Sequence, residues 1–284
     1  MKKTFEQIKA AQDEKILIVA HRGMGTGNIP CNSIPAFEAA LMQGADVIEC
    51  DIVKSTDGKL FVFHIGTEDS RLGFINRKKL TEYSSEEISR MRLVNQDHST
   101  TQFGISRLEE VLDYLKGRCY INLDRCWDYF PEAIPLVREK KMEEQIIIKS
   151  APKMEILKAV EEVASDIIYM PIINQEDTCS EIIEKMNINY WGAELLFKNM
   201  DAPTAQPEYL EMMKSKGRKL WGNSIIYNYR TQLSAGYSDD TSLTAGPDEG
   251  WGKLADMGFD LIQTDWPGMV YSYLHETGKI YKNK

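Results

Sequence analysis

Short runs of apolar, mostly β-branched residues alternate with amphipathic segments along most of the chain. This alternation is typical of parallel β-strands covered by helices, and it predicts an α/β fold. A helix is predicted between most of the strands, as in NSIPAFEAALMQG, which opens on an Asn-Ser cap signal and closes at Gly44. The predicted strands cover residues 16–21, 46–52, 60–65, 119–124, 145–150, 167–173, 190–197, 220–226 and 261–265.

The third predicted strand follows the second too closely to run parallel to it. Only STDGK, with the turn signal Asp57-Gly58, separates them, whereas a parallel connection needs about a dozen residues or more. The third strand should therefore return antiparallel, and a turn centred on 55–58 would place Glu49 opposite His64. Eight parallel strands remain, which is the number in a TIM (β/α)8 barrel. We predict one such domain over residues 1–284.

Two segments depart from the repeat of strands and helices. Residues 66–105 are polar and charged, with one short helix predicted over 84–92, and we interpret them as a small insertion on the catalytic face of the barrel. Residues 234–250 have the composition of a loop long enough to cover a site. We expect both segments to help select the substrate.

The composition is that of a globular protein, with 43% hydrophobic and 27% charged residues. A net charge of -9 makes nucleic acid and anionic membrane surfaces poor partners. No integral membrane segment is predicted, so we expect a soluble protein, cytoplasmic as given, or periplasmic or secreted if a signal peptide has been removed. The five cysteines contain no CxxC pair and predict neither zinc binding nor disulfides. The oligomeric state does not follow from these features.

Charged and polar side chains cluster where the predicted strands end. Because strand ends converge on one face of a TIM barrel, and that face holds the active site, these side chains should meet there. Such a concentration of buried charge is costly without a ligand. The residues are His21, Arg22, Glu49, Asp51, His64, Asp124, Lys149, Glu194, Trp221, Asn223 and Asp265.

The carboxylates of this set predict a metal site. Glu49 and Asp51 are separated by one residue, so on a strand both side chains point to the same side. Together with Asp124 they offer three hard oxygen donors, which suit one divalent cation, Mg²⁺ or Ca²⁺.

The histidines and cations of the set indicate phosphoryl chemistry. His21 and His64 are candidates for a general base and a general acid, since imidazole changes its charge near neutral pH. Arg22 and Lys149 would bind an anionic substrate, or else pair with the carboxylates. A metal, two cations and an acid/base pair together suit the transfer of a phosphoryl group. The glycines after Arg22 would let the loop backbone approach the phosphate.

Several linked motifs resemble those of the glycerophosphodiester phosphodiesterase family, a group of phosphatidylinositol-phospholipase-C-like TIM barrels that act in lipid and glycerol metabolism. The motifs are HRG, NS..AF..A...GAD.IE.D, TDG...V.H, ISRLEEVL and GFDLIQTDWP, and the similarity runs from about residue 16 to 275. The resemblance implies hydrolysis of a small-molecule glycerophosphodiester to glycerol 3-phosphate and an alcohol. It implies a mechanism in which the 2-hydroxyl of the substrate attacks phosphorus and water then opens the cyclic phosphate.

The resemblance also assigns roles to individual residues. It implies that His21 and His64 are the acid/base pair and that Arg22 contacts the phosphate. The residues implied to hold the divalent cation are Glu49, Asp51 and Asp124.

A second group would bind the substrate. Trp221 and Asn223 match the strand that lines the family's pocket, although Trp221 could instead be a core tryptophan. Glu194 could bind the substrate's hydroxyl groups or pair with Lys149.

The chain departs from the family pattern at two positions. Ile65 stands where an aspartate usually follows the histidine, so Glu68 or Asp69 would have to compensate. The usual Glu-x-Lys is replaced by Asp124 and Cys126, and Lys149 could restore the missing charge. Two alternatives therefore stay open: a phospholipase D-like lyase that releases a cyclic phosphate, and a degenerate barrel that binds a phosphorylated polyol without turnover.

Overall fold

Nine strands form a single sheet in the computed structural model, which describes residues 3–73 and 78–282. The strands are β1 (Leu17–Ala20), β2 (Val47–Lys54), β3 (Leu60–Val62), β4 (Tyr120–Asp124), β5 (Ile146–Ser150), β6 (Ile168–Asn174), β7 (Gly192–Leu196), β8 (Lys219–Asn223) and β9 (Leu261–Thr264). The order β1-β9-β8-β7-β6-β5-β4-β2 closes into a ring because β1 also pairs with β2, and every pair in this ring is parallel. The predicted TIM barrel is confirmed.

The extra strand, β3, lies outside the ring and pairs antiparallel with β2, as predicted. The predicted register is wrong by one residue, since Ile52 lies opposite Val62 and Lys54 opposite Leu60. The cause is the loop, in which Ser55 N donates to Lys59 O at 2.9 Å and Gly58 adopts φ 81°. A three-residue hairpin loop of this kind ends on a left-handed glycine and is one residue longer than a two-residue turn.

The helices cover the outside of the barrel and the ends of its strands. They are α1 (Phe5–Ala11), α2 (Ile34–Met42), α3 (Glu68–Arg71), α4 (Ser85–Ser89), α5 (Leu108–Leu115), α6 (Phe130–Glu139), α7 (Met154–Val163), α8 (Ser180–Ile183), α9 (Pro207–Ser215), α10 (Asp239–Thr244), α11 (Trp251–Asp256) and α12 (Pro267–Glu276). Short 3₁₀ segments occupy Leu80–Glu82, Glu143–Gln145, Pro203–Ala205 and Pro247–Glu249. In the described ranges, no helix has the length and apolar character needed to cross a bilayer.

Strand alternation puts polar side chains inside the barrel and apolar ones under the helices. Glu49 lies beside Asn122 and Asp51 beside Asp124 in the parallel register, so these four side chains share one face. The alternate residues, such as Cys50 and the other apolar members of β2 and β4, are buried in the main hydrophobic core. The interior therefore becomes polar toward the C-terminal ends of the strands.

The segment 66–105 is anchored on the hairpin by a small apolar cluster. This satellite cluster consists of Val53, Phe61, Phe63, Leu72, Leu80, Ile88, Leu93 and Ile105. The predicted helix at 84–92 is shorter, since α4 ends at Ser89, and α3 and a 3₁₀ turn were not predicted because they are too short to show a period. Residues 74–77 of the predicted insertion lie outside the described residues. The division into one domain with an insertion stays a prediction.

The segment 234–250, predicted as a loop, is partly helical. It contains α10 and the 3₁₀ turn Pro247–Glu249, and Ser238 caps α10 by accepting a hydrogen bond from Thr241 N at 3.1 Å. Its polar composition reflects buried hydrogen bonds, because the first residue of α10, Asp239, is buried.

Candidate active site

Three carboxylates meet at the C-terminal ends of β2 and β4. Oxygen atoms of Glu49, Asp51 and Asp124 all lie within 4.8 Å of one another. Burial, reinforced by the negative charge of Asp51, raises the pKa of Glu49 to about 8. Burial also raises the pKa of Asp124, although Lys149 opposes the shift. The ionised forms of Glu49 and Asp124 are therefore disfavoured in this buried cluster.

The cluster fits a divalent cation. Oδ1 of Asp51 and Oδ1 of Asp124 are buried and have no hydrogen-bond donor. A buried carboxylate oxygen without a donor is costly unless a cation satisfies it, and three hard oxygen donors suit Mg²⁺ or Ca²⁺. The donor set does not separate these two ions, so the identity of the ion stays a prediction.

Two arginines approach Asp51 from opposite sides. Arg22 Nε lies 3.0 Å from Asp51 Oδ2, and Arg125 Nε lies 3.3 Å from Asp51 Oδ1. Both arginines follow a strand end and adopt the left-handed conformation, with φ of 57° and 53°, which is uncommon for residues other than glycine. Arg22 therefore pairs with a carboxylate. The sequence left this pairing open as an alternative to phosphate binding.

Arg125 was not among the predicted site residues. The sequence shows it beside Asp124, but the left-handed turn that brings its side chain over Asp51 has no sequence signal. Cys126, which replaces the family's lysine, is buried in the main core. Lys149 was expected to restore the positive charge of the family's missing lysine. Arg125 supplies a positive charge as well.

Asn32 links the loop after β1 to the carboxylates. Its Nδ2 donates to Asp51 Oδ2 at 2.8 Å, while Arg22 N donates to Glu49 Oε2 at 2.8 Å. The sequence predicts Asn32 only as part of a helix cap and carries no signal for this contact. Asparagine tolerates the left-handed backbone that this residue adopts, with φ 56°.

The glycines of this loop serve its own packing. A Cβ on Gly23, where φ is 73°, would lie 2.7 Å from the backbone of Ala36, and a Cβ on Gly25 would lie 2.5 Å from Cys31 N. Close packing therefore explains Gly23 and Gly25 without the predicted approach of a phosphate to the loop backbone. They let the loop fold back against the start of α2.

His21 lies directly after β1 and is oriented by an aspartate. Its Nδ1 is 2.8 Å from Asp265 Oδ1. Burial lowers the pKa of His21, but the hydrogen bond with Asp265 and the charge of Glu49 outweigh it, so the pKa is raised. Because Nδ1 is engaged, Nε2 is the nitrogen left for proton transfer to a ligand.

His64 lies on the other side of the carboxylates, in the loop after β3. Its Nε2 is 3.9 Å from Asp51 Oδ1. Burial lowers the pKa of His64 to about 4, assisted by the charges of Arg22 and Arg125 and opposed by that of Asp51. The pKa values of His21 and His64 are therefore displaced in opposite directions, as in sites where one group is an acid and the other a base.

A second polar group lies beside the carboxylates, where the charges of Lys149 and Glu194 act on Asp124. Lys149 Nζ is 2.6 Å from Glu194 Oε2 and 4.1 Å from the centre of the Trp221 ring. Asn223 Nδ2 donates to Glu194 Oε1 at 2.6 Å. Glu194 thus pairs with Lys149, the second of the two possibilities, and Trp221 is fully buried. The substrate-binding roles of these four residues stay predictions.

Asp265 is itself held by a buried carboxylate that the sequence did not reveal. Asp239 accepts hydrogen bonds from Trp251 Nε1 at 2.6 Å, Thr264 Oγ1 at 2.8 Å and Asp265 N at 2.8 Å, and from Ser224 Oγ at 2.6 Å. These bonds join α10 and α11 to the end of β9. The position of Asp265, and through it that of His21, therefore depends on a segment whose composition predicts a loop.

Of the two proposed substitutes for the missing aspartate at position 65, Glu68 is engaged elsewhere. Glu68 accepts hydrogen bonds from Gly66 N at 2.7 Å and Leu80 N at 3.0 Å, so both of its oxygens hold the backbone of the insertion. Asp69 is exposed. Ile65 packs against the satellite cluster. Glu68 therefore does not supply the missing carboxylate, whereas the expectation for Asp69 stays a prediction.

Comparisons by sequence match parts of the chain. A family model described as a domain of unknown function, DUF4996, matches residues 169–274. A glycerophosphodiester phosphodiesterase of Bacillus altitudinis is 38% identical over 104 residues, which are 36% of this chain and only 40% of that protein. The chain thus aligns with less than half the length of this curated relative.

Two solved structures extend the similarity over nearly the whole chain. A glycerophosphoryl diester phosphodiesterase from Parabacteroides distasonis has a TM-score of 0.73 at 19% identity, with 99% of this chain and 97% of that one covered. An Oleispira antarctica phosphodiesterase in complex with the product sn-glycerol-3-phosphate has a TM-score of 0.65 at 16% identity, with 92% and 97% covered. The chain therefore has the fold of the glycerophosphodiester phosphodiesterases, as its sequence predicts.

Proposed function

We propose that this chain, which has the glycerophosphodiester phosphodiesterase fold, hydrolyses glycerophosphodiesters to glycerol 3-phosphate and an alcohol with the help of a divalent cation. The observation that carries the proposal is the placement of two histidines beside the carboxylate cluster, with His64 Nε2 3.9 Å from Asp51 Oδ1 and His21 under the influence of the Glu49 charge. Similar proteins with this name, and the glycerol 3-phosphate product bound to the Oleispira antarctica enzyme, support the substrate class.

The residues at the C-terminal ends of the barrel strands, here called the mouth, would stabilise negative charge on the substrate in two ways. Glu49, Asp51 and Asp124 would hold the cation, which when bound neutralises negative charge on the nonbridging phosphate oxygens. Arg22, whose guanidinium lies between Asp51 and the open cavity, would contact the same phosphate. The position of Arg22 is fixed by its backbone bond to Glu49.

The histidines would move the protons. His64, whose lowered pKa keeps it neutral, takes the proton of the substrate's 2-hydroxyl as that oxygen bonds to phosphorus. His21, whose raised pKa favours its protonated form, gives a proton to the alcohol oxygen as its bond to phosphorus breaks. In the second step neutral His21 takes a proton from water as the water oxygen bonds to phosphorus, and protonated His64 returns a proton to the 2-oxygen as the bond from that oxygen to phosphorus breaks. Each imidazole then regains its starting state.

Product analysis tests this proposal. The wild-type chain, the variants His21→Ala and His64→Ala, and the control His275→Ala are incubated with glycerophosphoethanolamine and Mg²⁺ or Ca²⁺, and the products are followed by ³¹P NMR. His275, at the end of α12, is remote from the carboxylates and stacks on Tyr271. We expect glycerol 3-phosphate from the wild type and the control, and losses of about 10² to 10⁴-fold in the other two.

Two results would contradict the proposal. Lasting accumulation of the cyclic phosphate would identify a lyase instead. Binding of the diester without turnover of any diester would identify a degenerate barrel.

A further inference from the structure

A cavity of about 750 Å³ beside His21 and Arg22 is unusually poor in negative charge for a chain of net charge -9. Its walls come from the loop after β1, the insertion, and the loops after β8 and β9. The carboxylate that lines it among the described residues is Asp265, which is already engaged with His21. Two guanidinium groups, those of Arg22 and Arg71, line the same cavity.

Arg71 is the second of these cations, and the catalytic scheme does not use it. In the ranges 3–73 and 78–282, no carboxylate lies within ion-pair distance of its guanidinium. It also lines a small cleft together with Arg22 and His64, and its charge acts on the Cys31 thiol, whose pKa is raised mainly by burial. Arg71 therefore stands next to the proposed phosphate site with its charge uncompensated.

The backbone around Arg71 is fixed before any ligand arrives. Val94 N donates to Arg71 O at 2.9 Å, and Arg71 N donates to Thr67 O at 2.9 Å. The insertion is tied to the loop after β1 by Gln96 Nε2, which donates to Gly25 O at 3.1 Å. A side chain held on a rigid wall loses less entropy when it binds a ligand, so it contributes more to affinity.

We infer that this cavity receives the leaving alcohol of the diester and that Arg71 selects alcohols bearing a second anionic group, a carboxylate or a phosphate. The inference rests on the proposed function. Arginine suits both anions because its planar fork donates two hydrogen bonds in parallel.

A cationic headgroup such as choline fits the same cavity less well. Tyr227 and Trp266 are 65% and 40% exposed there, and aromatic faces can receive a quaternary ammonium. The two guanidiniums would repel that cation, however, and the described lining offers it no free carboxylate. Like charges placed together at a binding site are a strong ground for rejection.

A matched pair of ligands tests the inference. Glycerophosphoserine and glycerophosphoethanolamine differ by one carboxylate, and their binding is compared by calorimetry in His21→Ala, which prevents turnover. The change His21→Ala frees the Asp265 carboxylate, which could then attract an ammonium group. Both ligands carry the same ammonium group, so this effect cancels in the comparison. We expect the serine diester to bind about fivefold more tightly, the upper range for a partly exposed ion pair. The preference should vanish in His21→Ala/Arg71→Met.

Arg92→Met in the same background is the control, since Arg92 belongs to the insertion but does not line the cavity, and it should keep the preference. Glycerophosphoinositol and its 4-phosphate form a second pair, and the pair with the larger Arg71-dependent preference identifies carboxylate or phosphate as the group. Equal binding within both pairs, no binding of any of the four, or a preference that survives Arg71→Met, would overturn the inference.

Turnover rates of the wild-type protein with the four diesters distinguish a failure of this inference from a failure of the proposed function. Turnover of both members of each pair without preference would leave the function standing and refute the role of Arg71. An Arg71-dependent binding preference without turnover of any diester would support the anion site and refute the phosphodiesterase.

Discussion

Buried aspartates occur at both ends of the barrel, and their surroundings differ. At the N-terminal end, Asp46 contacts Lys3 at 2.6 Å and accepts a hydrogen bond from Ile18 N at 3.1 Å. Asp260 likewise contacts Lys282 at 2.7 Å and accepts from Leu220 N at 2.8 Å. At the C-terminal mouth, Asp51 and Asp124 each keep a buried oxygen without a donor.

The same contrast holds for the described residues as a whole. Apart from Arg218 Nε, every buried side-chain polar atom without a hydrogen-bond partner belongs to the barrel interior or the mouth. A buried polar atom without any partner costs about 1–3 kcal/mol, although several of these atoms, such as Arg22 Nε and Glu194 Oε2, are offset by an ion pair. At the N-terminal end the aspartates are satisfied by lysines and backbone donors, whereas at the mouth Asp124 Oδ1 keeps hydrogen-bonding capacity that a ligand would satisfy.

The largest expected effect comes from neutralising the mouth. Glu49→Gln should reduce kcat on the order of 10²-fold or more, because a weaker cation site stabilises the phosphate charge less. Because its pKa of about 8 leaves Glu49 largely neutral near pH 7, the same change should leave the free energy of unfolding close to that of the wild type. Steady-state kinetics measure the change in kcat, and urea denaturation measures the change in the free energy of unfolding. Full activity of the wild type in excess chelator would refute the metal assignment.

The next effect concerns the aspartate that orients His21. Asp265→Asn removes a charge that raises the pKa of His21, so that pKa should fall. Since His21 must be protonated to act as the acid, the loss of kcat with rising pH should begin at a lower pH, and kcat at neutral pH should drop about tenfold.

The pH profile of kcat checks this expectation, with Asp240→Asn on the exposed side of α10 as control. An unchanged profile in Asp265→Asn would mean that His21 is not the acid.

At the opposite end the effect should fall on stability alone. Asp260→Asn breaks the contacts with Lys282 and Lys219, and we expect a loss of about 1–3 kcal/mol in the free energy of unfolding. The rate constant kcat should match that of the wild type. A drop in kcat as large as that of Glu49→Gln would show that the N-terminal end of the barrel affects catalysis as much as the C-terminal end does.

The smallest effect is expected at Ile65. The family pattern alone predicts that Ile65→Asp leaves activity equal or higher, but the side chain packs against the satellite cluster. We now expect a loss of about 1–2 kcal/mol in the free energy of unfolding and earlier proteolysis within the insertion. Ile65→Val is the matched control. Unchanged protease resistance together with higher activity would favour the family pattern.

The barrel and the first ring of charged residues could be predicted because both follow from the alternation of side chains along strands. That alternation places Glu49, Asp51 and Asp124 on one face. Features that depend on backbone turns could not be predicted, such as the hairpin register and the left-handed turn at Arg125. Pairs far apart in sequence were also missed, as in the contact between His21 and Asp265.

The central claim is that the carboxylates, Arg22 and the two histidines form one centre for a diester phosphorus. Crystals soaked with Mn²⁺ and glycerol 3-phosphate test it most directly through an anomalous difference map. We predict one peak among Glu49, Asp51 and Asp124, with the phosphate between that peak and Arg22 and within reach of His21 and His64. A peak elsewhere, or a phosphate bound away from both histidines, would contradict the account.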